Sequence, residues 1–155
     1  QSTAKIEWKL SVDGASRGNP GKAGAGVYIQ KDLKDQVKAG FYLGTMTNNE
    51  AEYMALLVGI FLLKQEMKVD EAVHIVSDSQ LLIRQMQGIY KVKKPKLQQF
   101  HRAVCDQLGS LSVTFEHVER EYNVVPDALA NYGIDEKKTL PLKFINLLST
   151  YELYI

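Results

Sequence analysis

The chain has 155 residues, of which 45% are hydrophobic, 9% aromatic and 24% charged. At roughly 150 residues per domain this predicts one domain with at most a short appendage. Nineteen Lys plus Arg against eighteen Asp plus Glu leave a formal net charge of +1, which excludes an acidic disordered chain and a polycationic packing protein. Any nucleic-acid site must come from local clustering of charge. The single cysteine, Cys105, has no partner for an internal disulfide, so the composition points to a reducing compartment and excludes a zinc cluster built on paired cysteines. No apolar run approaches the ~20 residues of a membrane span, and Gln1 to Lys5 carry no apolar leader region. The expectation is a cytoplasmic globular protein without a membrane partner.

Ile6, Trp8, Leu10 and Val12 alternate with Lys5, Glu7, Lys9, Ser11 and Asp13, the period of a half-buried strand that ends at Asp13. Gly14-Ala15-Ser16-Arg17-Gly18-Asn19-Pro20-Gly21 is dense in turn formers. Two more strands fit Ala23 to Gln30 and Val37 to Leu43, joined by a polar hairpin link over Lys31 to Gln36. Thr47-Asn48-Asn49-Glu50 is a capping box, in which hydroxyl and carboxylate cap each other's backbone N–H groups. The helix it opens has an apolar stripe of Ala51, Met54, Ala55, Val58, Phe61 and Leu62, widened by Leu56, Gly59 and Leu63, which places it centrally.

Val73 to Val76 suits a strand covered on both faces, and Ser77-Asp78-Ser79 starts a helix that Gly88 ends. Beyond Lys91-Val92-Lys93-Lys94-Pro95 a helix carries Leu97, Phe100, Val104 and Leu108. A fifth strand fits Ser112 to Val118, and a last core helix runs from near Pro126 to about Tyr132. The order βββαβααβα predicts an α/β fold with a mixed sheet flanked by helices. From Leu140 to Ile155 the chain is again apolar; this tail either packs on the parent domain, the favoured reading, or offers a dimerisation or partner-docking helix.

Four acids need an explanation. Asp13 can be a turn starter, Asp78 a helix N-cap and Asp127 a first-turn acid favoured by the helix dipole. Glu52 flanks an apolar row, and Glu50 already serves the capping box, so Glu52 calls for a compensating cation. Strand ends at Asp13 and Asp78 and helix starts near Glu52 and Asp127 can all lie along one edge of a mixed sheet. Like charges gathered there shift pKa values upward. Divalent cations remove that penalty, and all-oxygen ligands suit Mg²⁺ or Mn²⁺.

The stretches Asp13 to Gly21, Thr47-Asn48-Asn49-Glu50-Ala51-Glu52, Ser77-Asp78-Ser79-Gln80 and Asn123-Val124-Val125-Pro126-Asp127-Ala128-Leu129-Ala130-Asn131 together resemble ribonuclease H type 1, in order and in spacing, over about Lys5 to Gly133. The resemblance implies a ribonuclease H-like fold with a five-stranded sheet, three antiparallel strands followed by parallel ones. It implies a catalytic domain over residues 1–136 with an apolar extension over 137–155. The implied activity is endonucleolytic cutting of the RNA strand of RNA/DNA hybrids, leaving 5′-phosphate and 3′-hydroxyl ends. Two Mg²⁺ ions, or Mn²⁺ in their place, are implied on Asp13, Glu52, Asp78 and Asp127, with no small-molecule cofactor. Asp13 then bridges both ions, Glu52 and Asp78 hold the water-activating side and Asp127 completes the leaving-group side.

By the same resemblance Gly14, Ala15, Ser16 and Arg17 approach the RNA strand, Asn19, Asn48, Asn49 and Gln80 touch the minor groove, and Thr47 meets a DNA phosphate. Lys91, Lys93, Lys94 and Lys96, beside Tyr90, form the strongest basic cluster and are either a solvated face or a phosphate-binding one. The chain departs from the family where a mobile histidine loop is often found: Glu119-Arg120-Glu121-Tyr122-Asn123 holds no histidine, and His74, His101 and His117 read as structural. Either turnover is slower for that reason, or Arg120 or Glu121 substitutes. Two alternatives stay open: a member that also cuts double-stranded RNA, and a nucleic-acid binder that does not cut, against which the four intact acids argue. A homodimer through the tail is a further expectation.

Overall fold

The computed structural model describes residues 6–68 and 70–155; Gln1 to Lys5, including the lysine that the alternation assigns to the first strand, lie outside them. Strands β1 (Ile6–Gly18), β2 (Gly21–Lys31) and β3 (Lys34–Met46) form an antiparallel meander. On the other side of β1, β4 (Ala72–Ser77) and β5 (Ser112–His117) pair in parallel, giving the order β3-β2-β1-β4-β5. The five-stranded mixed sheet is the one expected, with β1 at its centre. Leu10 and Val12 on that strand are wholly buried.

Helix α1 (Asn48–Lys64) begins at the expected capping box: Thr47 Oγ1 accepts from the Glu50 N–H at 3.2 Å, and Glu50 Oε1 from the Thr47 N–H at 2.9 Å. Nearly its whole circumference is buried, as befits a helix that is apolar all round. One side lies on β1 and β2. The other is covered by α3 (Pro95–Leu108) and α5 (Leu142–Thr150), with the Tyr53 and Phe100 rings 6.0 Å apart and the Phe61 and Phe144 rings 5.4 Å apart. In the tail Phe144, Leu148 and Leu153 join the core, while Leu142 faces solvent. Helix α4 (Val124–Asp135) packs across β1, β2 and β3 from the opposite face. It rests directly on the backbone: a Cβ at Gly26 would stand 1.9 Å from the Pro126 carbonyl oxygen. No helix among the described residues is long and apolar enough to cross a membrane.

Several local expectations are corrected. Strand β1 does not end at Asp13 but runs to Gly18, because Gly14, Ala15 and Ser16, small enough to read as a turn, pair with Ala25, Gly24 and Ala23 of β2. Only the ladder to β4 stops there, at Val12 opposite Ser77. The hairpin link between β2 and β3 shrinks to Asp32 and Leu33, both left-handed at φ 50° and 68°, the conformation of a two-residue turn matched to strand twist. The last helix starts at Val124 rather than near Pro126. Helix α2 (Gln80–Met86) is capped by Ser79, whose Oγ accepts from the Leu82 N–H at 3.2 Å.

Candidate active site

The end of the β1–β4 ladder is also the end at which α1 begins. Asp13 follows the last residue of β1 paired to β4, and Asp78 follows the last residue of β4. Parallel strands in α/β sheets present their binding sites at these carboxyl ends. Glu52 arrives from α1 because residue 14 is glycine: a Cβ there would stand 2.2 Å from the Ala51 backbone, so any larger residue would lift the helix off the strand. The Gly14 N–H then donates to Glu52 Oε1 at 2.8 Å. One carboxylate oxygen from each of Asp13, Glu52 and Asp78 lies within 4.8 Å of the other two. Asp127, in the first turn of α4, lies outside that group but close enough to act on Asp13.

This gathering is electrostatically costly. Burial first, then the charges of Glu52, Asp78 and Asp127, push the Asp13 carboxyl far above the ordinary carboxylate range. Burial likewise raises Glu52, opposed by the Gly14 hydrogen bond, and raises Asp78, opposed by Arg120. Arg120 Nε stands 4.0 Å from Asp78 Oδ2 on a side chain 88% exposed. Among the described residues it is the only basic side chain in ion-pair range of the cluster. The structural readings of two acids fail here: Ser79, not Asp78, caps α2, and Asp13 sits inside a strand rather than at a turn. A hard, all-oxygen anionic donor set, partly open to solvent and short of cations, fits a divalent ion such as Mg²⁺ or Mn²⁺.

The expected substrate contacts divide into two groups. Asn19, Thr47 and Asn49 line one cleft of about 280 Å³ together with Lys94 and Lys96. Within it Asn19 Oδ1 accepts from the Asn48 N–H at 3.0 Å, tying the β1–β2 turn to the start of α1. Lys91, Lys93 and Lys94 continue into a neighbouring cleft with Tyr90 and Asn49. Gln80 opens α2 and is exposed.

The β1 residues are more committed to the fold. Ser16 Oγ lies within hydrogen-bond distance of the Gly18 and Met46 carbonyls, the latter at 2.7 Å, and its single proton serves one of them at a time. Arg17 is held on α4 by Asp135 at 2.7 Å and Asn131 at 3.1 Å, and Ala15 is half-buried in the strand. A 3₁₀ turn (Arg120–Tyr122) occupies the place of the absent histidine loop. His74 is engaged across β5, with Thr114 Oγ1 at 2.6 Å and Glu116 Oε1 at 2.7 Å. Asn123, which the sequence places at the head of the last motif without a role, donates its Nδ2 to the Val12 carbonyl at 2.9 Å; an Asn four residues before Asp127 looks like an ordinary helix start.

Comparison with known proteins agrees with this geometry. A family model described as reverse transcriptase-like matches residues 11–133. Ribonuclease HI of Halobacterium salinarum is 35% identical over 131 residues, covering 80% of this chain and 62% of that protein. A bifunctional protein of Mycobacterium tuberculosis is 35% identical over 138 residues, covering 81% of this chain but 35% of its own length. The chain thus spans from about a third to three-fifths of these curated relatives. The crystal structure of LC11-RNase H1 in complex with an RNA/DNA hybrid matches with a TM-score of 0.80 at 36% identity, over 84% of this chain and 98% of that one. A mixed sheet carrying acids at the ends of its two central parallel strands is the ribonuclease H architecture. The chain belongs to the ribonuclease H type 1 family.

Proposed function

We propose that the chain is an endonuclease that hydrolyses the RNA strand of RNA/DNA hybrids, leaving 5′-phosphate and 3′-hydroxyl ends. The observation that carries this reading is the convergence of Asp13, Glu52 and Asp78 within 4.8 Å, on a face where α1 also opens onto two clefts lined by amides and lysines. A protein that only bound nucleic acid would gain nothing from anions facing a phosphate backbone. Asp13, Glu52 and Asp78, with Asp127 beside them, hold Mg²⁺ in this reading, which supplies Lewis acidity toward the scissile phosphate and the attacking water. Glu52 is kept in place for that task by the Gly14 N–H. Arg120, exposed and 4.0 Å from Asp78, is free to meet the phosphate that enters.

In this reading the hybrid is recognised by shape and by its 2′-hydroxyls across a minor groove. Asn19, Asn49 and Thr47 offer short polar contacts. Lys91, Lys93, Lys94 and Lys96 lie alongside and bind phosphates by releasing counterions, with the salt dependence this brings. Cleavage of labelled RNA/DNA, RNA/RNA and DNA/DNA duplexes in Mg²⁺ tests the proposal. Hybrid cutting is the expected result; an inert wild type that still binds hybrid would leave only a binding role, and equal cutting of RNA/RNA would widen the substrate class.

A further inference from the structure

Asn123 stands at the start of α4, where an asparagine normally turns its side-chain oxygen onto an N–H of the first helical turn. Here no side-chain capping bond forms. The Nδ2 instead donates to the carbonyl of Val12, the residue before Asp13, at 2.9 Å. The backbone of Asn123 is engaged on both sides: its N–H donates to the Arg120 carbonyl at 2.9 Å, and its carbonyl accepts the Asp127 N–H at 3.2 Å. A residue only 2% exposed is thus tied to β1 next to Asp13, to the turn that carries Arg120 and to Asp127 itself. The link to Val12 comes at the expense of Oδ1, a buried acceptor left without a partner. Helix formation alone asks for the opposite arrangement, with the oxygen used and the amide free.

We infer that Asn123 is a positioning residue: by holding the Val12 carbonyl it sets where Asp13 stands relative to Asp127 and Arg120, and so the spacing across the divalent-cation site. The inference rests on the functional reading above and adds a residue to it. It is tested by comparing Asn123→Ala and wild type in three measurements: Mg²⁺ titration of the hybrid-free protein by calorimetry, separate kcat and KM on a labelled hybrid, and metal-free thermal unfolding. Outer partners of metal ligands typically govern 10–100-fold in affinity or activity. The variant is therefore expected to bind Mg²⁺ about tenfold more weakly and to lose about tenfold or more in kcat, with KM within about twofold of wild type.

If the alanine variant fails to fold, Asn123→Ser, which shortens the arm without enlarging it, carries the same comparison. A lowered melting temperature with wild-type Mg²⁺ affinity and kcat would make Asn123 a structural staple and overturn the inference. A wild type that binds Mg²⁺ but cuts nothing would remove the functional reading instead, while the titration would still decide the positioning role.

Discussion

At the amino-terminal end of the β1–β4 pair, Glu71 is 8% exposed and surrounded by donors. Its Oε1 accepts from Trp8 Nε1 at 3.0 Å and from the Lys68 N–H at 2.7 Å, and its Oε2 faces Lys31 Nζ at 3.1 Å. The Lys68 and Trp8 hydrogen bonds, with Lys31, hold its pKa down to about 2. At the carboxyl-terminal end of the same pair Asp13 is 5% exposed, but its neighbours are Glu52, Asp78 and Asp127, and its pKa is driven the other way. Similar burial of a similar group gives a settled anion at one end and a frustrated one at the other. A buried acid among donors ties structure together; a buried acid among acids is poised for a cation and for chemistry.

The contrast is broken most severely by Asp13→Asn. Hybrid cleavage in Mg²⁺ is expected to fall to about 1% of wild type or less. The metal-free melting temperature is expected to rise, because asparagine, unlike a carboxyl buried among Glu52, Asp78 and Asp127, need not take up a proton on folding. The gain near neutral pH should exceed about 1 kcal/mol, one unit of pKa being worth about 1.4 kcal/mol. Activity equal to wild type would remove Asp13 from the mechanism. Glu71→Gln should show the reverse pattern, with a lower melting temperature in calorimetry and unchanged kcat and Mg²⁺ affinity in the folded protein.

The two buried acids also give opposite dependences of stability on pH. The raised values of Asp13, Glu52 and Asp78 favour the folded state fully only below about pH 4, where the unfolded chain is protonated too. That contribution is lost as pH rises toward the folded values, so the metal-free melting temperature falls between about pH 4 and 10, and saturating Mg²⁺ flattens this limb. Glu71 contributes above its unfolded value of about 4.3 and loses that contribution as pH falls toward about 2. Asp13→Asn should shrink the first limb alone, leaving the part due to Glu52 and Asp78, and Glu71→Gln should flatten the second alone; a pH scan in which both variants parallel wild type would contradict the assignment. Lys31→Ala, which leaves the Trp8 and Lys68 donors on Glu71, should lower the melting temperature least.

Much of this molecule was legible without coordinates where a signal is local. The alternation of Leu10 and Val12 marked the inner face of β1, the Thr47–Glu50 capping box marked the start of α1, and the choice of Glu52 over Glu50 followed from the cap being occupied. What failed locally did so because one residue type serves two conformations: Gly14, Ala15 and Ser16 suit a turn, yet a neighbouring strand was available to pair with them. Arg17 looked free for substrate until α4 supplied Asp135, 118 residues further along the chain. The Trp8–Glu71 bond spans 63 residues and the Asn123–Val12 bond 111, and no periodicity records a partner at such a distance.

Side-chain period, turn chemistry and caps act between residues a few positions apart, and through them the amino-acid order alone determined the inner face of β1, the start of α1 and the order of the sheet and core helices, though not every boundary. Whether an acid is satisfied depends on which donors or charges face it once the chain has closed on itself. Only the tertiary arrangement decided that Glu71 meets Trp8 and Lys31 while Asp13 meets Glu52 and Asp78, because electrostatic energy in a partly dry interior is set by distance in space and not by separation along the chain.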